Sequence, residues 1–510
     1  MCGLLAIFPK RPGYSALAPI EAELGKQAWR GPDHSGVWTD ERQRACLGHN
    51  RLTILDDSPL ANMPMVSDDE RYVLVYNGEI YNHLEIRRRF RLACRTHSDA
   101  ETLLRLYAQI GDTCVQHLEG MFAFVVFDQL SGQYFAARDQ LGIKPLFYSD
   151  SGHEVVFGSE AAVVNDRVGS APSLAAIEEW KVFRRPIGHK TFFEKVHEVP
   201  PGHFYRSASG LGRYWQAVAS DSTPTPEQFR HELQASVDAH LMNDYQTVSL
   251  LSGGLDSAVI LGLSGVGKAY TIGLPDNNEF DGAGESAHVL GAELVPVEIG
   301  SHALEVAWNT LLRLRREPLA VPNEGLIFSV CQAMGPDEKV VLTGEGADEL
   351  LFGYDRIFRW SQQQTALTVD AFLSCYAYGD SSGLHPESRD CVGALMQGKT
   401  PLEFMEDFFL EVHLPGLLRR MDAASMCASK EARVPFVTPK LFNLFYRQPL
   451  LVRHADGFAK SPLRAIARDL RLTGALARKK IGFSAARDQR PPQAEYRLFQ
   501  QFCLDALGWS

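Results

Sequence analysis

Apolar runs alternate with amphipathic segments through the second half of the chain. Residues 248–251, 269–275 and 340–342 are apolar and rich in β-branched side chains, which is typical of buried parallel strands. Residues 229–242 and the first part of 285–299 predict helices, and the end of 285–299 predicts a further strand. Strands that alternate with helices predict a doubly wound parallel sheet, with ligands at the carboxyl ends of its strands.

The first half of the chain carries a different pattern. Alternating residues at 72–76 and 123–127 predict strands, and the segments 85–90 and 100–110 predict helices. Residues 196–205 predict a last strand and its turn. The first half therefore predicts a mixture of strands and helices that differs from the regular alternation of the second half.

Ser, Gly, Thr and Pro accumulate at 207–212 and again at 219–228, which favours a linker. A chain of 510 residues is too long for one ordinary hydrophobic core, so we expect at least two domains. The sequence therefore predicts one domain at 2–206, a linker at 207–226 and a second domain at 227–510.

The run SGGLDS at 252–257 directly follows the first apolar strand of the second half and precedes an apolar helix. Its glycines let backbone N–H groups approach anionic oxygens, and a helix N-terminus adds partial positive charge. Ser252 and Ser257 add hydroxyl donors. A carboxylate beside a phosphate needs a cation between them, so we interpret Asp256 as a Mg²⁺ ligand. An ordinary strand–helix turn explains a bare SGG equally well.

Composition and charge exclude several classes of function. A hydrophobic content of 45% and a charged content of 22% are typical of a globular soluble protein. The net charge is −11 and the densest basic patch, at 87–91, is typical of a solvated helix face, so nucleic-acid binding is not expected. The nine cysteines form no CxxC pair, which suits a reducing compartment and argues against structural zinc. Without a signal peptide or a transmembrane stretch, the sequence predicts a cytoplasmic enzyme.

Cys2 follows Met1, and a methionine before a small side chain is usually removed, which would make Cys2 the terminal residue. A terminal cysteine carries its own base, because an α-amino group with a pKa near ~8 can take the thiol proton. A cysteine at position 2 carries little weight alone, but a series of motifs follows it. The motifs are RGPDHSG (30–36), GHNRLTILD (48–56), YNGEIYN (76–82), THSDAETLL (96–104), GMFAF (120–124) and ARDQLGIKPLFY (137–148).

In this order the motifs resemble the glutaminase domain of class II glutamine amidotransferases, from Cys2 to about residue 205. The resemblance implies an N-terminal-nucleophile fold, with two sheets between layers of helices (αββα). It also implies that Cys2 attacks the side-chain amide of glutamine, that Arg51 binds the glutamine α-carboxylate and that Asp99 binds the α-ammonium.

The same resemblance implies that Asn77, through its side-chain amide, and Gly78, through its backbone N–H, stabilise the oxyanion of the tetrahedral intermediate. It places Ile54 and Glu79 beside the bound glutamine. The residues by themselves leave simpler interpretations open, since Asn-Gly is a common turn and Asp99 is also suited to cap a helix. Arg51 also fits a surface position.

The run TGEGADE at 343–349 repeats the arrangement of an apolar strand followed by a small-residue turn and acidic residues. Asp348 is placed to share Mg²⁺ with Asp256, each from a loop at a strand end. Glu345 is placed to orient an attacking ammonia or to accept its proton. Taken alone, the run also fits an acidic loop in solvent.

SGGLDS resembles the pyrophosphate loop of the ATP pyrophosphatases, and no Walker-type Gly-Lys-Ser/Thr follows it. Together with MDAASMCASKEARVPF (421–436) and ARKKIGFS (477–484), the motifs resemble the synthetase domain of glutamine-dependent asparagine synthetases over most of 226–490. Parts of 355–420 carry no recognised motif. The resemblance implies that Lys480 contacts the polyphosphate and the acyl-adenylate. It assigns ATP binding to Leu251, Ser252, Gly253, Gly254, Asp256, Ser257, Ile272, Thr343 and Gly344.

The acceptor region departs from that family. In such synthetases a Thr and an Arg hold aspartate. The corresponding stretch here, 317–328, contains no Arg and has Asn323 and Glu324 in that neighbourhood. In addition, Thr438 replaces an Asp of the family pattern. An aspartate acceptor would then need another cation for its α-carboxylate, because a buried unpaired charge is costly. The candidate cations are Lys430, Arg433 and Lys480. Alternatively the acceptor lacks that carboxylate, and the Asn323–Glu324 pair binds a neutral or cationic group.

The resemblance therefore predicts an enzyme that hydrolyses glutamine and passes ammonia internally to an ATP-adenylated carboxylate bound with Mg²⁺. Aspartate, which gives asparagine with AMP and pyrophosphate, is the favoured acceptor, and a different carboxylic acid is the alternative. Relatives that close β-lactam rings lack the catalytic Cys and carry Tyr at the position of Glu345, so ring closure is disfavoured. A non-catalytic relative is disfavoured because the chain retains together Cys2, Arg51, Asn77, Asp99, Asp256, Asp348 and Lys480. A homodimer remains open.

Overall fold

The computed structural model describes residues 2–10, 20–150, 152–379, 381–455, 457–478 and 492–509. The chain folds into two compact units. The first unit comprises Met1–Ser173, His189–Gln216 and Met242–Tyr245. The second unit comprises Leu174–Gly188, Ala217–Leu241 and Gln246–Ser510.

The first unit contains two six-stranded sheets whose strand pairs are antiparallel. Its strands are β1 (Cys2–Pro9), β2 (His34–Thr39), β3 (Cys46–Arg51), β4 (Met65–Val66), β5 (Tyr72–Ile80), β6 (Gly120–Asp128), β7 (Tyr134–Arg138), β8 (Phe147–Ser149), β9 (Glu154–Gly158), β10 (His197–Glu198), β11 (His203–Arg206) and β12 (Gly210–Arg213). The strand orders are β10-β8-β9-β1-β3-β2 and β12-β11-β7-β6-β5-β4. Its helices are α1 (Ile20–Gly25), α2 (His83–Phe90), α3 (Asp99–Ile110) and α4 (Ala161–Val168).

Strand β5 shows how the layers of the first unit form. Val73 and Val75 pack into the core between the two sheets, beside Leu4 of β1. Leu74 and Tyr76 point the other way, into a second core with α2 and α3, because successive side chains of a strand alternate between its faces. Helices α1 and α4 pack against the other sheet. The predicted αββα arrangement is confirmed.

The second unit contains a five-stranded sheet in the order β15-β14-β13-β16-β17, and every neighbouring pair is parallel. Its strands are β13 (Thr247–Leu250), β14 (Lys268–Gly273), β15 (Glu293–Glu298), β16 (Val340–Leu342) and β17 (Glu431–Arg433). The predicted doubly wound sheet is confirmed. The strand order reverses between β13 and β16, and ligands of such sheets bind outside the carboxyl ends of the strands at that point.

Helices surround this sheet and continue beyond it. They are α5 (Leu174–Phe183), α6 (Pro226–His240), α7 (Leu255–Ser264), α8 (Phe280–Leu290), α9 (Ser301–Arg315), α10 (Glu324–Gln332), α11 (Ala347–Leu350), α12 (Asp355–Gln363), α13 (Val369–Tyr376), α14 (Pro386–Met396), α15 (Pro401–Phe408), α16 (Leu414–Met426), α17 (Pro439–Phe445), α18 (Leu450–Arg453), α19 (Ser461–Asp469), α20 (Thr473–Ala477) and α21 (Pro492–Leu507). A π-helical turn, Phe409–His413, joins α15 to α16.

The region 355–420, parts of which carry no recognised motif, forms helices α12 to α15 and the start of α16 around an aromatic-rich core. Phe372, Phe404 and Phe408 lie at its centre, with ring centroids 4.8 to 5.9 Å apart. Phe183 of α5 packs into the same core, which explains why Leu174–Gly188 belongs to the second unit. This region therefore adds a second hydrophobic core to the second unit.

The segment expected to be a linker has two parts in the structure. Its beginning forms β12, which pairs with β11 in the first unit. Its end leads into α6, where the Thr225 side chain accepts from the Gln228 N–H and Gln228 reaches back to the Thr225 N–H in a capping box. The domain bounds 2–206 and 227–510 stay a prediction. In the described part of the chain, no helix is long and apolar enough to span a membrane.

Candidate functional site

Strand β1 places Cys2 directly opposite Arg51 of β3 in the antiparallel register. Cys2 is 7% exposed. Arg30 donates through Nε to the Cys2 carbonyl oxygen at 3.1 Å, and the Arg30 guanidinium is held by Glu160 at 2.6 Å. The candidate nucleophile therefore lies on a backbone that a buried ion pair fixes in place.

Asn77 of β5 approaches Cys2 from the second sheet. Its Oδ1 accepts from the Cys2 backbone N–H at 2.8 Å. Its Nδ2 donor is buried and has no hydrogen-bond partner among the described residues. A buried amide donor without a partner costs free energy unless a ligand accepts from it. The Asn77 amide therefore lies beside Cys2 with its Nδ2 donor unused, which is the arrangement expected of an oxyanion donor.

Gly78 follows Asn77 where β5 and β6 lie close together. A Cβ atom at Gly78 would overlap the Met121 carbonyl oxygen and lie 2.7 Å from Phe122 Cα. Only glycine therefore fits this register of the sheet. Glu79, the next residue, is 2% exposed.

Asp99 is the first residue of α3, and its carboxylate points toward β5. Its Oδ2 accepts from the Tyr76 hydroxyl at 2.6 Å and from the Ile80 N–H at 2.9 Å. The helix is capped instead by Ser98, whose hydroxyl accepts from the Ala100 N–H at 3.2 Å. Capping by Asp99, the simpler interpretation of the sequence, is therefore not what the structure shows.

The Arg51 guanidinium holds the loop that follows β3. It donates to Asn62 Oδ1 at 2.7 Å and to the carbonyl oxygens of Ser58 and Leu55 at 3.3 Å, and it also contacts the Asp56 carbonyl oxygen. Arg51 is 5% exposed, so it is not a surface residue. Its contacts fix the loop beside Cys2.

Sequence motifs did not reveal a second set of contacts on this loop, made by Asp244. The Asp244 N–H donates to the Ile54 carbonyl oxygen at 3.0 Å, and Asp244 Oδ2 accepts from the Asp56 N–H at 2.7 Å. His97 Nε2 lies 2.9 Å from the same Asp244 oxygen, and the His97 N–H donates to Asp56 Oδ2 at 2.8 Å. This cluster ties the Arg51 loop to the segment that carries Asp99. His97 lies within the THSDAETLL run, which was the available signal.

Hydrogen bonds to two serine hydroxyl groups hold the loop after β13. The Ser252 N–H donates to Ser257 Oγ at 3.0 Å, and the Gly254 N–H donates to Ser252 Oγ at 3.1 Å. Gly254 is the N-cap of α7, so this turn ends at a helix N-terminus. Leu251 is buried beneath it. Gly253, between the two serines, completes the turn, and Ile272 is buried near the end of the neighbouring β14.

The loop after β16 touches the loop after β13. A Cβ atom at Gly344 would lie 2.7 Å from the Ser257 nitrogen and 3.0 Å from Asp256 Cβ. Thr343, directly before Gly344, is held by the Arg433 carbonyl oxygen of β17 at 3.0 Å. The two loops therefore meet at the point where the strand order reverses.

Asp256 and Asp348 are brought together by a residue that the motifs did not reveal, Lys460. Its Nζ lies 2.7 and 2.6 Å from the two Asp256 carboxylate oxygens and 2.6 Å from Asp348 Oδ1. The signal in the sequence was modest, a lysine just before the Ser-Pro start of helix α19. Burial lowers the pKa of the Lys460 ammonium, but Asp256 and Asp348 together outweigh burial and raise that pKa above its ordinary value.

Two convergent carboxylates fit the way proteins hold Mg²⁺ with nucleotides, through one or two carboxylates plus phosphate oxygens. No group of three or more His, Cys, Asp or Glu side chains is arranged to hold a metal ion in the part of the chain that the structure describes. Asp256 and Asp348 are partly exposed, at 21% and 18% of the side chain. The pair therefore fits a metal that arrives with a nucleotide.

Glu345 is paired with Arg420 of α16, whose guanidinium donates to it at 2.6 Å. Arg420 directly precedes the MDAASM run, and no motif in the sequence marks it as a partner of Glu345. Glu349, in helix α11 directly after this loop, accepts from the Tyr354 hydroxyl at 2.6 Å. Burial, followed by the charges of Asp348 and Glu345, raises the pKa of the Glu349 carboxyl.

Comparison with known families follows the same division of the chain. Residues 1–215 match the family described as glutamine amidotransferase domain, and residues 228–503 match the family described as asparagine synthase. The second match alone covers more than half of the 510 residues. The chain belongs to the asparagine synthase family.

Individual relatives agree with this assignment. The chain is 28% identical over 509 residues to asparagine synthetase [glutamine-hydrolyzing] 3 of Bacillus subtilis, covering 88% of this chain and 81% of that one. It is 28% identical over 392 residues to asparagine synthetase B of Escherichia coli, covering 69% and 65%. It is also 28% identical over 409 residues to a protein of Gibberella zeae named amidase chry2, covering 70% and 60%. The chain is a ligase that resembles the glutamine-hydrolysing asparagine synthetases, and this family uses ATP.

For this family member, the structure narrows the choice of acceptor-binding residues. Glu324 is fully buried, and its carboxylate takes Arg315 at 2.5 Å and the N–H groups of Ala320 and Val321 at 2.5 and 3.2 Å. These contacts tie Glu324 to its own loop. The Glu324 carboxylate is therefore already used and does not bind a cationic group of the acceptor, as was expected of the Asn323–Glu324 pair.

Two of the candidate cations are used inside the protein. Lys430 donates to the Gly335 carbonyl oxygen at 2.5 Å, and Arg433, which is fully buried, donates to Glu431 and to the His240 carbonyl oxygen. The third candidate, Lys480, lies outside the described residues, as does its neighbour Lys479. Arg478, two residues before Lys480, donates to the Gly253 carbonyl oxygen at 3.2 Å.

Thr438, which stands where the family pattern has Asp, has a local role. Its hydroxyl accepts from the Leu441 N–H at 3.3 Å and caps α17. Asp and Thr are both favoured at helix N-caps, so this exchange preserves the cap. The departure therefore gives no reason to expect a different acceptor.

Proposed function

We propose that this chain transfers the amide nitrogen of glutamine to a carboxylate that it activates with ATP, releasing AMP and pyrophosphate. Aspartate, converted to asparagine, is the favoured acceptor. The single observation that carries this proposal is the convergence of Asp256 and Asp348 where the loops after β13 and β16 meet. A glutaminase alone has no use for such a site.

In the first unit, the Cys2 thiol adds to the side-chain carbonyl carbon of glutamine. The oxyanion that forms accepts from Asn77 Nδ2 and the Gly78 N–H, and its collapse expels ammonia and leaves a thioester, which water then hydrolyses. Arg51 and Asp99 hold the α-carboxylate and the α-ammonium of glutamine, with Ile54 and Glu79 beside them. The buried Nδ2 donor of Asn77 supports this assignment most directly.

In the second unit, the turn of Ser252, Gly253, Gly254 and Ser257 receives the ATP phosphates. The adenosine lies against Leu251, Ile272, Thr343 and Gly344. Mg²⁺ on Asp256 and Asp348 would neutralise phosphate charge. An acceptor oxygen attacks the α-phosphorus of ATP and pyrophosphate leaves, with Lys480 proposed to face it.

Ammonia then adds to the acyl carbon of the adenylate, and AMP leaves as the amide forms. Glu345 is the proposed acceptor of the proton that the attacking nitrogen loses. Its hydrogen bond from Arg420, at 2.6 Å, holds the carboxylate in place on this loop. Ammonia reaches this site internally in the proposal.

A second acceptor class is favoured by one observation. The side chains of Glu324, Lys430 and Arg433 all bind partners inside the protein. Of the three cations proposed from the sequence, Lys480 is then left to bind an α-carboxylate. One relative is named an amidase rather than an asparagine synthetase. An acid without an α-carboxylate is therefore the alternative substrate.

Two acids decide between these acceptors. Aspartate and β-alanine share the reacting carboxylate, and β-alanine lacks only the α-carboxylate of aspartate. We expect glutamine-dependent AMP release with aspartate at ~1 per second or faster, and much slower release with β-alanine. Faster turnover of β-alanine would favour the second class. With aspartate labelled by ¹⁸O, one labelled oxygen should appear in AMP, and unlabelled AMP would rule out adenylation.

A further inference from the structure

Lys460 stands directly before helix α19, in the left-handed backbone conformation with φ 57° and ψ 36°. Non-glycine residues adopt this conformation rarely and at a cost, which functional sites commonly bear. The Lys460 side chain is 8% exposed, and its ammonium points at three carboxylate oxygens, two of Asp256 and one of Asp348. The two contacts to Asp256 are hydrogen bonds, and the contact to Asp348 Oδ1 is an ion pair at 2.6 Å.

The neighbouring backbone is shaped around this contact. A Cβ atom at Gly353 would overlap both Asp348 Oδ1 and Lys460 Cε. The chain therefore needs glycine at 353 for the lysine stem and the carboxylate to pass so close to the backbone. Three separate segments, at 256, 348–353 and 460, thus build one contact around the buried Lys460 ammonium.

The carboxylates that Lys460 holds are those to which the proposed function gives Mg²⁺. From this geometry we propose that the Lys460 ammonium competes with the divalent cation for Asp256 and Asp348. The site then accepts the metal only together with nucleotide phosphates. This inference rests on the proposed function in assigning the metal to these carboxylates.

Charge explains the dependence on nucleotide. The two carboxylates and the ammonium together carry one negative charge. A bare divalent cation that took the carboxylate oxygens would leave the Lys460 ammonium buried beside it without a partner, which is costly for a desolvated charge. Phosphates of a nucleotide bring negative charge for the metal and for the displaced ammonium at once. Lys460 is a positioning residue, because it holds the Asp256 and Asp348 carboxylates and prevents bare metal ions from binding to them.

The test uses the full chain, without nucleotide, and Mn²⁺ as the probe, with free Mn²⁺ measured by electron paramagnetic resonance. The variant Lys460→Met keeps a long flexible side chain but removes the charge. A matched control is Lys268→Met, since Lys268 is also ion-paired, with Glu338 at 2.7 Å, in the same unit. The double variant Lys460→Met with Asp256→Asn removes one of the carboxylates that the metal would gain.

We expect Lys460→Met to bind one Mn²⁺ per chain at least about tenfold more tightly than the wild type or Lys268→Met. The double variant should lose that gain. Tight binding of bare Mn²⁺ by the wild type would overturn the proposal, and so would a folded Lys460→Met protein that gains no affinity. The wild-type titration can contradict the proposal even if Lys460→Met fails to fold, because competition requires that the wild type bind bare Mn²⁺ weakly.

The failure of this inference is distinguishable from failure of the proposed function. Exchange of labelled pyrophosphate into ATP that requires the acceptor carboxylic acid, measured on the wild type, tests adenylation alone. If exchange is absent while Lys460→Met gains its Mn²⁺ site, adenylation is refuted and the competition stands. If exchange occurs and the wild type binds bare Mn²⁺ tightly, the competition is refuted and adenylation stands.

Discussion

At the scale of single residues, the burial of His49 next to the candidate glutamine site makes the free energy of unfolding depend on pH. His49 lies on β3 two residues before Arg51, is fully buried, and donates through Nε2 to the Tyr76 carbonyl oxygen at 2.8 Å. Burial, with a smaller contribution from Arg51, lowers the pKa of His49 from 6.5 to about 3. The folded protein therefore keeps this ring neutral where the unfolded chain would protonate it.

The sign of the resulting stability change follows from this shift. Between pH 6.5 and about pH 3 the unfolded chain binds one more proton at His49 than the folded chain does. The stabilising contribution of a neutral His49 is complete above pH 6.5 and is lost as the pH falls. Relative to His49→Gln, the wild type should lose roughly 2 kcal/mol of unfolding free energy between pH 6.5 and pH 5.

Urea unfolding of both proteins at pH 7, 6 and 5 measures this difference. His231→Gln is the matched control, since the His231 side chain is 80% exposed, and it should follow the wild type at every pH. Equal loss of stability by the wild type and His49→Gln on acidification would contradict the assignment.

At the scale of elements, the two loops of the second unit depend on Gly344. A methyl group there meets the Ser257 nitrogen at 2.7 Å and Asp256 Cβ at 3.0 Å, so Gly344→Ala must push the loops apart. A displacement near 1 Å at a reacting centre costs about a hundredfold in rate. We expect Gly344→Ala to reduce ATP–pyrophosphate exchange by about that factor and to leave glutamine hydrolysis unchanged.

Gly284→Ala provides the comparison for this variant. Gly284 lies within α8, and the nearest atom to a Cβ there is Leu294 Cδ2 at 4.0 Å, so alanine fits without displacement. This control should retain wild-type exchange and gain some helix stability. Full exchange activity in Gly344→Ala would show that the loops do not need their close contact.

At the scale of the whole molecule, the two candidate sites lie in separate units of the chain. Cys2→Ala should therefore abolish glutamine-dependent amide formation but leave ammonia-dependent formation largely intact. Product formation with each nitrogen source, measured on the same preparation, checks this division. A folded variant that has lost both activities would contradict it.

The segment Met242–Tyr245 belongs to the first unit, although its neighbours on both sides in the chain belong to the second. Its Asp244 holds Asp56 and His97 beside the proposed glutamine site. Removing this carboxylate loses hydrogen bonds that are partly exposed, so the effect should be moderate. We expect Asp244→Ala to raise the KM for glutamine by about threefold to tenfold, with ammonia-dependent activity unchanged.

Asp221→Ala serves as the control for Asp244→Ala, because Asp221 is an exposed carboxylate before α6. It should retain the wild-type KM for glutamine. If Asp244→Ala changes neither KM nor glutamine-dependent rate, the cluster around His97 does not position the glutamine site.

Local sequence patterns were enough to predict the parallel sheet of the second unit, and the resemblance carried by the motifs predicted the fold of the first. Apolar periodicity and small-residue turns are local properties, so the strands around SGGLDS and the helices at 85–90 and 100–110 followed from neighbouring residues alone. The order of motifs in the first half then indicated the αββα fold. The domain bounds, the cytoplasmic location and a homodimer stay predictions.

Tertiary structure alone decided which side chains share a contact. Lys460 reaches Asp256 across 204 residues and Asp244 reaches Asp56 across 188, and neither position lies in a run with a recognisable local pattern. It also decided what Glu324, Lys430 and Arg433 do, because their chemistry suits a substrate as well as it suits the internal partners that they have. A charged residue in a sequence shows what it is able to bind, and only the folded chain shows what already binds it.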